Sequence, residues 1–422
     1  MRILHTSDWH LGQFFINKSR LPEHQQFIAW LLKQVKEQDV DALIIAGDVF
    51  DTGAPPSYAR ELYNQFVIGM NKLGCPLVVL AGNHDSVSML NESKEILAEL
   101  NTRVITTASE VLEEQVIELN DKQGKPAAIL CAIPYLRPRD LVKSQQGVSP
   151  EHKQQELGQA ISQHYQSLFE LAQQRCKGFD YPVPIIATGH LTAMGVKSSD
   201  SVRDIYIGNL EAFPASEFPA ADYIALGHIH RPQIVAKSDH IRYSGSPIPL
   251  SFDELGSQKQ VLLVEFSDAK LASVKPLKVP LFQPMEVIKG DLDSIEKQLQ
   301  LLADSEHKDA EHKDAESRLT TWLSIEVETQ DYLNDLQQRI QLLTESMNVE
   351  VLQLRRARKQ QQIRIEREDK EILAELSPGD VFERRLASET FATEDEQKRL
   401  QRLRESFEKI VIELKTELDD ED

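Results

Sequence analysis

Five short segments of this 422-residue chain place metal-binding side chains directly after runs of apolar residues. They are Asp8-Trp9-His10, Gly47-Asp48, Gly82-Asn83-His84-Asp85, Gly189-His190 and Gly227-His228-Ile229-His230. Runs such as Ile3-Leu4 and Leu43-Ile44-Ile45-Ala46 read as strands, so each ligand group falls on the loop at a strand's carboxyl end. In an open α/β sheet those ends share one rim, and ligands bind along it. The fold must therefore bring five loops to one point. Two carboxylates, an amide and at least four imidazoles then converge. That is too rich a set for structural zinc and suits two divalent ions with room for water and substrate.

Residue types within the motifs suggest roles. Asp8 and His10 alternate as they leave a strand, so both can turn to one ion. Asp48 is a candidate bridging carboxylate, and Gly47 before it lets the backbone approach the metals. Asn83 offers a neutral oxygen. His190 and His228 offer nitrogens to the second ion, and His230 completes the first. His84, beside Asn83, is assigned to the substrate side, stabilising charge on phosphorus or protonating the leaving alkoxide. Asp51 and Asp85 are candidates for orienting imidazoles from behind. Mixed imidazole, carboxylate and amide ligands suit Mn²⁺, Fe²⁺ or Zn²⁺ more than Mg²⁺ or Ca²⁺, and the absence of thiolates puts Mn²⁺ first. His5, His24, His152, His164 and His240 lack such company and read as structural or surface residues.

Strand-like runs at 2–5, 42–46, 77–80, 127–133, 185–188, 223–226, 241–243 and 261–266 alternate with helical stretches such as 23–37 and 56–73. Residues 1–280 thus read as a two-sheet α/β sandwich flanked by helices, antiparallel in its later part. A Pro-containing stretch at 278–284 opens a second unit, 283–360, with a β-α-β-α-β pattern. Inside it lies a tandem repeat, EHKDA at 306–310 and again at 311–315, which reads as a charged surface loop. Residues 366–422 are highly charged. Their apolar stripe of Leu400, Leu403, Phe407, Ile410 and Leu414, at helical spacing, either docks back on the domains or lies in a partner's groove.

The formal net charge of −20 weighs against unaided binding of a long polyanion: either the substrate is small, or a partner supplies much of the affinity for one. Arg355, Arg356, Arg358 and Lys359 form a local basic cluster that could meet phosphates. Three scattered cysteines read as free thiols of a reducing cytoplasm. Neither a signal peptide nor a membrane span is legible.

The order D-x-H, G-D-x-x-D, G-N-H-D, G-H and G-H-x-H resembles that of the calcineurin-like metallophosphoesterases. Longer stretches add to it: HTSDWHLG at 5–12, AGDVFDTG at 46–53, YIALGHIHRPQ at 223–233, YSGSPIPLSFDE at 243–254 and LSPGDVFERRL at 376–386. These are similar to the family's DNA nucleases that work with a coiled-coil ATPase. The resemblance implies one manganese on Asp8, His10, Asp48 and His230, and another on Asp48, Asn83, His190 and His228. It implies His84 as the catalytic histidine, a capping domain at 283–360, ATPase-binding C-terminal helices, and dimerisation through 58–70 and 91–100. It further implies ATP-dependent double-strand exonuclease activity (3′–5′) with hairpin opening and single-strand endonuclease activity, the ATP being used by the partner. The alternative is a phosphatase or small-molecule phosphodiesterase on the same metal core. Related phosphatases carry an Arg after the second motif's last Asp, whereas Asp51 here precedes Thr52-Gly53.

Overall fold

The segment Ala42-Leu43-Ile44-Ile45-Ala46 is buried along its whole length because it has an apolar layer on each side. Leu43 and Ile45 pack with helices, whereas Ala42, Ile44 and Ala46 pack toward a second sheet. The same division runs through the fold. The structure, a computed structural model, describes residues 1–142, 150–197, 199, 201–202, 212–310, 319–328 and 336–356.

In chain order, β1 (Arg2–Thr6) leads to the small hairpin β2 (Phe14–Phe15) and β3 (Lys18–Ser19), then α1 (Leu21–Glu37) and β4 (Ala42–Ala46). Next come α2 (Ser57–Lys72), β5 (Leu77–Leu80), α3 (Val87–Glu92), α4 (Lys94–Glu99) and β6 (Thr102–Ile105). The chain continues through β7 (Val116–Asn120), β8 (Pro126–Cys131), α5 (Pro138–Leu141), α6 (Pro150–Cys176), β9 (Ile185–His190) and β10 (Tyr223–Gly227). It goes on through β11 (Gln233–Val235), β12 (Ser238–Tyr243), β13 (Gln260–Ser267) and β14 (Lys270–Lys278). Finally β15 (Met285–Gly290), α7 (Leu292–Ala310), β16 (Thr321–Val327), α8 (Leu336–Thr344) and β17 (Val349–Arg356) form a separate sheet layer.

Two six-stranded sheets result, ordered β14-β13-β1-β4-β5-β6 and β11-β12-β10-β9-β8-β7. Strands β1, β4, β5 and β6 run parallel, as do β8, β9, β10 and β12, with antiparallel strands at the margins. The expected two-sheet sandwich, partly antiparallel and flanked by helices, is what forms. Small side chains line the seam between the sheets: Ala42 and Ala46 face Ala128, Ala132 and Ala225 in one buried cluster. They let the backbones come close, and the carboxyl ends of β1, β4, β9 and β10 converge. On the outside, α1 and α2 cover the first sheet and α6 covers the second. Helix α1 forms because Phe27, Ile28, Leu31 and Val35 recur at helical spacing and bury together, with a proline in its first turn.

The third sheet is parallel in the order β15-β16-β17, with α7 and α8 as its crossovers. Helix α7 runs through the first EHKDA copy to Ala310, which corrects the surface-loop reading for that copy; the second copy lies outside the described residues. Phe15 stacks on Trp322 of β16 with centroids 5.7 Å apart and meets Phe252 edge-on at 5.0 Å; Met285 completes the cluster. The hairpin's two turn residues, Ile16 and Asn17, both have positive φ (47° and 67°), as a tight mirror-image turn requires. Fully buried Arg20 supports this latch: it forks onto Glu23, donates to the Pro249 carbonyl at 2.6 Å and faces the Phe15 ring.

The expected dimer segment at 91–100 takes in the end of α3, Ser93 and the whole of α4. Arg358, Lys359, Leu400, Leu403, Phe407, Ile410 and Leu414 lie outside the described residues. Among the described residues, no helix is long and apolar enough to cross a membrane. Cys75, Cys131 and Cys176 are free thiols.

Two histidines outside the motifs are fully buried. His5 Nδ1 pairs with the Tyr223 hydroxyl at 2.9 Å, and His24 Nε2 donates to the Trp9 carbonyl at 3.0 Å. Burial pushes each imidazole down to about 3. A histidine depressed in this way stays neutral in the fold but protonates near pH 6.5 once unfolded. Its contribution is complete above about pH 6.5 and is lost as the pH falls toward 3. Each such group adds about 1.4 kcal/mol per pH unit to the acid-side slope of metal-free protein between about pH 6 and 4, alongside His164 and His228, which burial also depresses. His24→Gln, which can still donate to the Trp9 carbonyl, should lower that slope by about 1.4 kcal/mol per pH unit in urea titrations run in EDTA. An unchanged slope would show that His24 carries no such penalty.

Candidate metal centre

Trp9 explains why its neighbours point into the site. Its indole is completely buried between Phe27 and Phe66 and donates to Thr6 Oγ1 at 2.9 Å. Truncating a core tryptophan costs about 3–5 kcal/mol, so this anchor fixes the loop. Asp8 and His10, on either side, are thrown to the opposite face. The amides of Asp8 and His10 donate to the carbonyls of Gly47 and Asp48, tying the first two motifs together.

The expected ligands meet. Asp8, His10 and His230 offer atoms within 4.8 Å of one another, and so do Asp48, His190 and His228. Asn83 Oδ1 lies 2.9 Å from His190 Nε2 and 3.1 Å from His228 Nδ1. Asp48 sits between the groups, its Oδ2 3.2 Å from His190 Nε2 and 3.6 Å from His10 Nε2. All these side chains except that of Asn83 are almost fully buried.

The non-ligating atoms are held too. Asp8 accepts from Ser7 Oγ and from the His228 amide, while Asp48 Oδ1 accepts from the His84 amide at 2.9 Å. His190 Nδ1 donates to the Ala46 carbonyl at 2.9 Å, which turns Nε2 inward. Asp51 pairs with His10 Nδ1 at 3.1 Å, as expected of a carboxylate that orients an imidazole. Asp85 works differently from expectation: it accepts the amides of Val49, Phe50 and Gly82 and so shapes the loop's backbone. His84 Nδ1 donates to the Asp51 carbonyl at 2.7 Å, and the ring lies edge-on to His10. His84 also offers an atom within 4.8 Å of those of His10 and Asp48, so distance alone does not separate it from the ligands.

The electrostatics call for cations. Burial opposes charge on His190, yet Asp48 and its neighbours raise it to about 9. Burial opposes charge on His10 as well, but Asp51, Asp48 and Asp8 outweigh it and raise that imidazole too. Burial and then the Asp48 charge push Asp85 up to about 6, against three amide hydrogen bonds. Without metal, His190 and His10 therefore take up protons, whereas burial and the neighbouring His190 hold His228 neutral. His10 Nε2 is buried with no hydrogen-bond partner, which an ion satisfies. Four site residues adopt left-handed backbone: Asp8 (φ 55°), His10 (48°), Asp48 (50°) and His228 (94°). Such conformations cost about 1–3 kcal/mol each and persist where surrounding structure imposes them.

Gly227 shows how tightly the sheets meet. A Cβ there would sit 1.8 Å from the Ala46 carbonyl oxygen and 2.9 Å from His190 Nδ1. Gly227→Ala must force β10 away from β4 and turn His190. Cleavage should fall by more than about 100-fold, the typical result of an ångström-scale displacement of catalytic groups. Activity within threefold of wild type would show the seam to be compliant.

Glu254 and Lys259 belong to the site without having been singled out from sequence. Glu254 is fully buried and pairs with His230 Nδ1 at 3.1 Å. Burial opposes its ionisation, but Lys259 and His230 hold it well below the usual carboxylate range. Their signal was slight: two charged residues in SFDELGSQK resemble an exposed turn. Of the expected basic patch, Arg355 and Arg356 are exposed at the end of β17, and Arg355 joins Lys289 on a cleft of about 950 Å³ between the third sheet and the hairpin.

Comparison with known proteins places these features in context. Residues 1–232 match the family model described as calcineurin-like phosphoesterase, and residues 281–390 match that of the type 5 capsule protein repressor C-terminal domain. The chain is 55% identical over 404 residues to the D subunit of the nuclease SbcCD of Escherichia coli K12, covering 96% of each chain. It is 34% identical over 298 residues to the corresponding protein of Rhodobacter capsulatus, covering 68% of this chain and 71% of that one. The match to its Bacillus subtilis counterpart is 33% over 288 residues, or 66% and 71% of the two chains.

Proposed function

Since the chain belongs to the calcineurin-like phosphoesterases and, among them, to the D subunits of SbcCD nucleases, we propose that it is the component that cuts DNA for an SbcC ATPase. It is a metal-dependent phosphodiesterase of the nuclease type. The finer reading is a Mn²⁺ enzyme that, with SbcC and ATP, degrades double-stranded ends 3′–5′, opens hairpins and cuts single strands in repair, recombination and replication.

One observation carries the two-ion reading: a single oxygen, Asp48 Oδ2, lies within 3.6 Å of histidine nitrogens from both groups. Asp8, His10 and His230 would hold one ion, Asn83, His190 and His228 the other, and Asp48 both. Divalent ions bound there supply charge for a phosphate and lower the pKa of a water. The side chains do the rest. Asp51 holds His10 in the tautomer that presents Nε2, and Asp85 fixes the loop that carries Asp48. His84, donating through Nδ1 to the Asp51 carbonyl, turns Nε2 to the substrate, where as imidazolium it would pass its Nε2 proton to the leaving 3′ or 5′ oxygen and become neutral. Arg355 and Arg356 would meet backbone phosphates, with Arg358 and Lys359 continuing that patch.

A net charge of −20 still repels duplex DNA. The reading therefore assigns much of the DNA affinity to SbcC, which uses the ATP and is bound through Leu400, Leu403, Phe407, Ile410 and Leu414. A homodimer through α2 and α3–α4, within a heterotetramer, completes the assembly. Three free thiols fit a cytoplasmic setting. The test is cleavage of an end-labelled DNA hairpin in Mn²⁺, with and without SbcC and ATP. Cleavage stimulated by both is expected; phosphomonoester turnover with no DNA cleavage would replace this reading with a phosphatase.

A further inference from the structure

Glu254 lies in a short turn, Phe252–Glu254, that contributes no metal ligand, yet its carboxylate is the meeting point of three loops. One oxygen, Oε1, faces His230 Nδ1 at 3.1 Å and accepts from Ser199 Oγ at 3.0 Å and from Ser201 Oγ. Ser201 Oγ lies 2.7 Å from the same His230 nitrogen. The other oxygen, Oε2, accepts from Lys259 Nζ, from Ser246 Oγ at 3.2 Å and from the Leu250 amide at 3.1 Å. Lys259 closes the circuit: its Nζ also donates to the His230 carbonyl at 3.0 Å and to Ser246 Oγ at 2.7 Å. The imidazole and the main chain of His230 are thus gripped by the two ends of one buried ion pair.

We propose that Glu254, supported by Lys259, is a positioning residue that fixes His230 with Nε2 toward the first ion and so sets the affinity of that ion. This rests on the assignment of His230 as a ligand. A carboxylate at Nδ1 selects the tautomer with hydrogen on Nδ1 and makes Nε2 a stronger donor to metal. The arrangement is one-sided. Both histidines assigned to the first ion have a carboxylate behind them, Asp51 for His10 and Glu254 for His230. On the other side His190 has only the neutral Ala46 carbonyl behind it. Loss of the Glu254 charge should therefore weaken one ion and spare the other. A buried pair that merely held the loops together would lower stability without distinguishing the two ions.

The experiment is a Mn²⁺ titration of metal-free protein followed by electron paramagnetic resonance, with melting curves on the same samples. Wild type, Glu254→Gln and His230→Ala are compared. Glu254→Gln should weaken one of two equivalents by about 10- to 100-fold and leave the other within about threefold. Excess Mn²⁺ should then restore most hairpin cleavage. Glu254→Asp keeps Lys259 paired but retracts the carboxylate from His230; it should show the same one-sided weakening, and it decides the matter if the glutamine variant does not fold. Two equivalents of wild-type affinity in the folded variant would overturn the proposal, provided His230→Ala loses one. If His230→Ala itself binds both ions as wild type does, the ligand assignment falls and the proposal with it.

Discussion

Asp48→Ala should lose DNA cleavage by more than about 10⁴-fold, equivalent to about 5.5 kcal/mol of transition-state stabilisation. Asp48 Oδ2 faces His190 of one group and His10 of the other. Its removal takes a ligand from both ions and leaves the buried imidazoles without the charge that raises His190 and His10. Each ion contributes several kcal/mol of charge stabilisation to phosphoryl chemistry, so loss or misplacement of both compounds. The check pairs hairpin cleavage with Mn²⁺ stoichiometry. Cleavage within tenfold of wild type, with two ions still bound, would refute the shared-ligand role.

His84→Ala should separate binding from chemistry. Cleavage should drop by about 10²–10⁴-fold, the usual contribution of a general acid or base, while both Mn²⁺ equivalents stay. The structure gives a reason for the second half. What His84 offers Asp48 is its main-chain amide, at 2.9 Å from Oδ1, and alanine keeps that amide. The side chain's Nδ1 donates to the Asp51 carbonyl. A variant that sheds an ion would show His84 to be a ligand, as its closeness to His10 and Asp48 allows. Full activity would remove it from the mechanism.

Local pattern was enough to read the sandwich and the convergence of the motifs. Apolar runs of strand length, each ending in glycine or a small residue before a ligand type, specify both the strand and what its end carries. Gly47 and Gly227 precede ligands because the sheets meet there, Gly82 because Asp48 lies against it, and Gly189 because the Tyr165 hydroxyl of α6 does; none has space for a side chain. Other features depend on distance in sequence. Glu254 reaches His230 across 24 positions and Lys259 reaches the same residue's carbonyl across 29, with no periodicity to announce either. The Phe15–Trp322 stack joins residues more than 300 apart, and neither is unusual in its local context. His24 looked like one more polar residue of a helix, until its hydrogen bond to the Trp9 carbonyl tied it to the first motif.

The left-handed backbone at Asp8, His10, Asp48 and His228 bears on what this centre can become under selection. Among residues other than glycine, aspartate, asparagine and histidine are the ones enriched several-fold at positive φ. They are also donors suited to Mn²⁺ and its neighbours. Glutamate and cysteine could bind metals too, but they lack that conformational tolerance. Each of these four positions thus applies two independent filters, one on donor chemistry and one on torsion. A lineage drifting toward thiolate-rich, softer-metal sites would have to rebuild the loops before it could change the ligands. The donor set of this centre is in this sense partly inherited from its backbone.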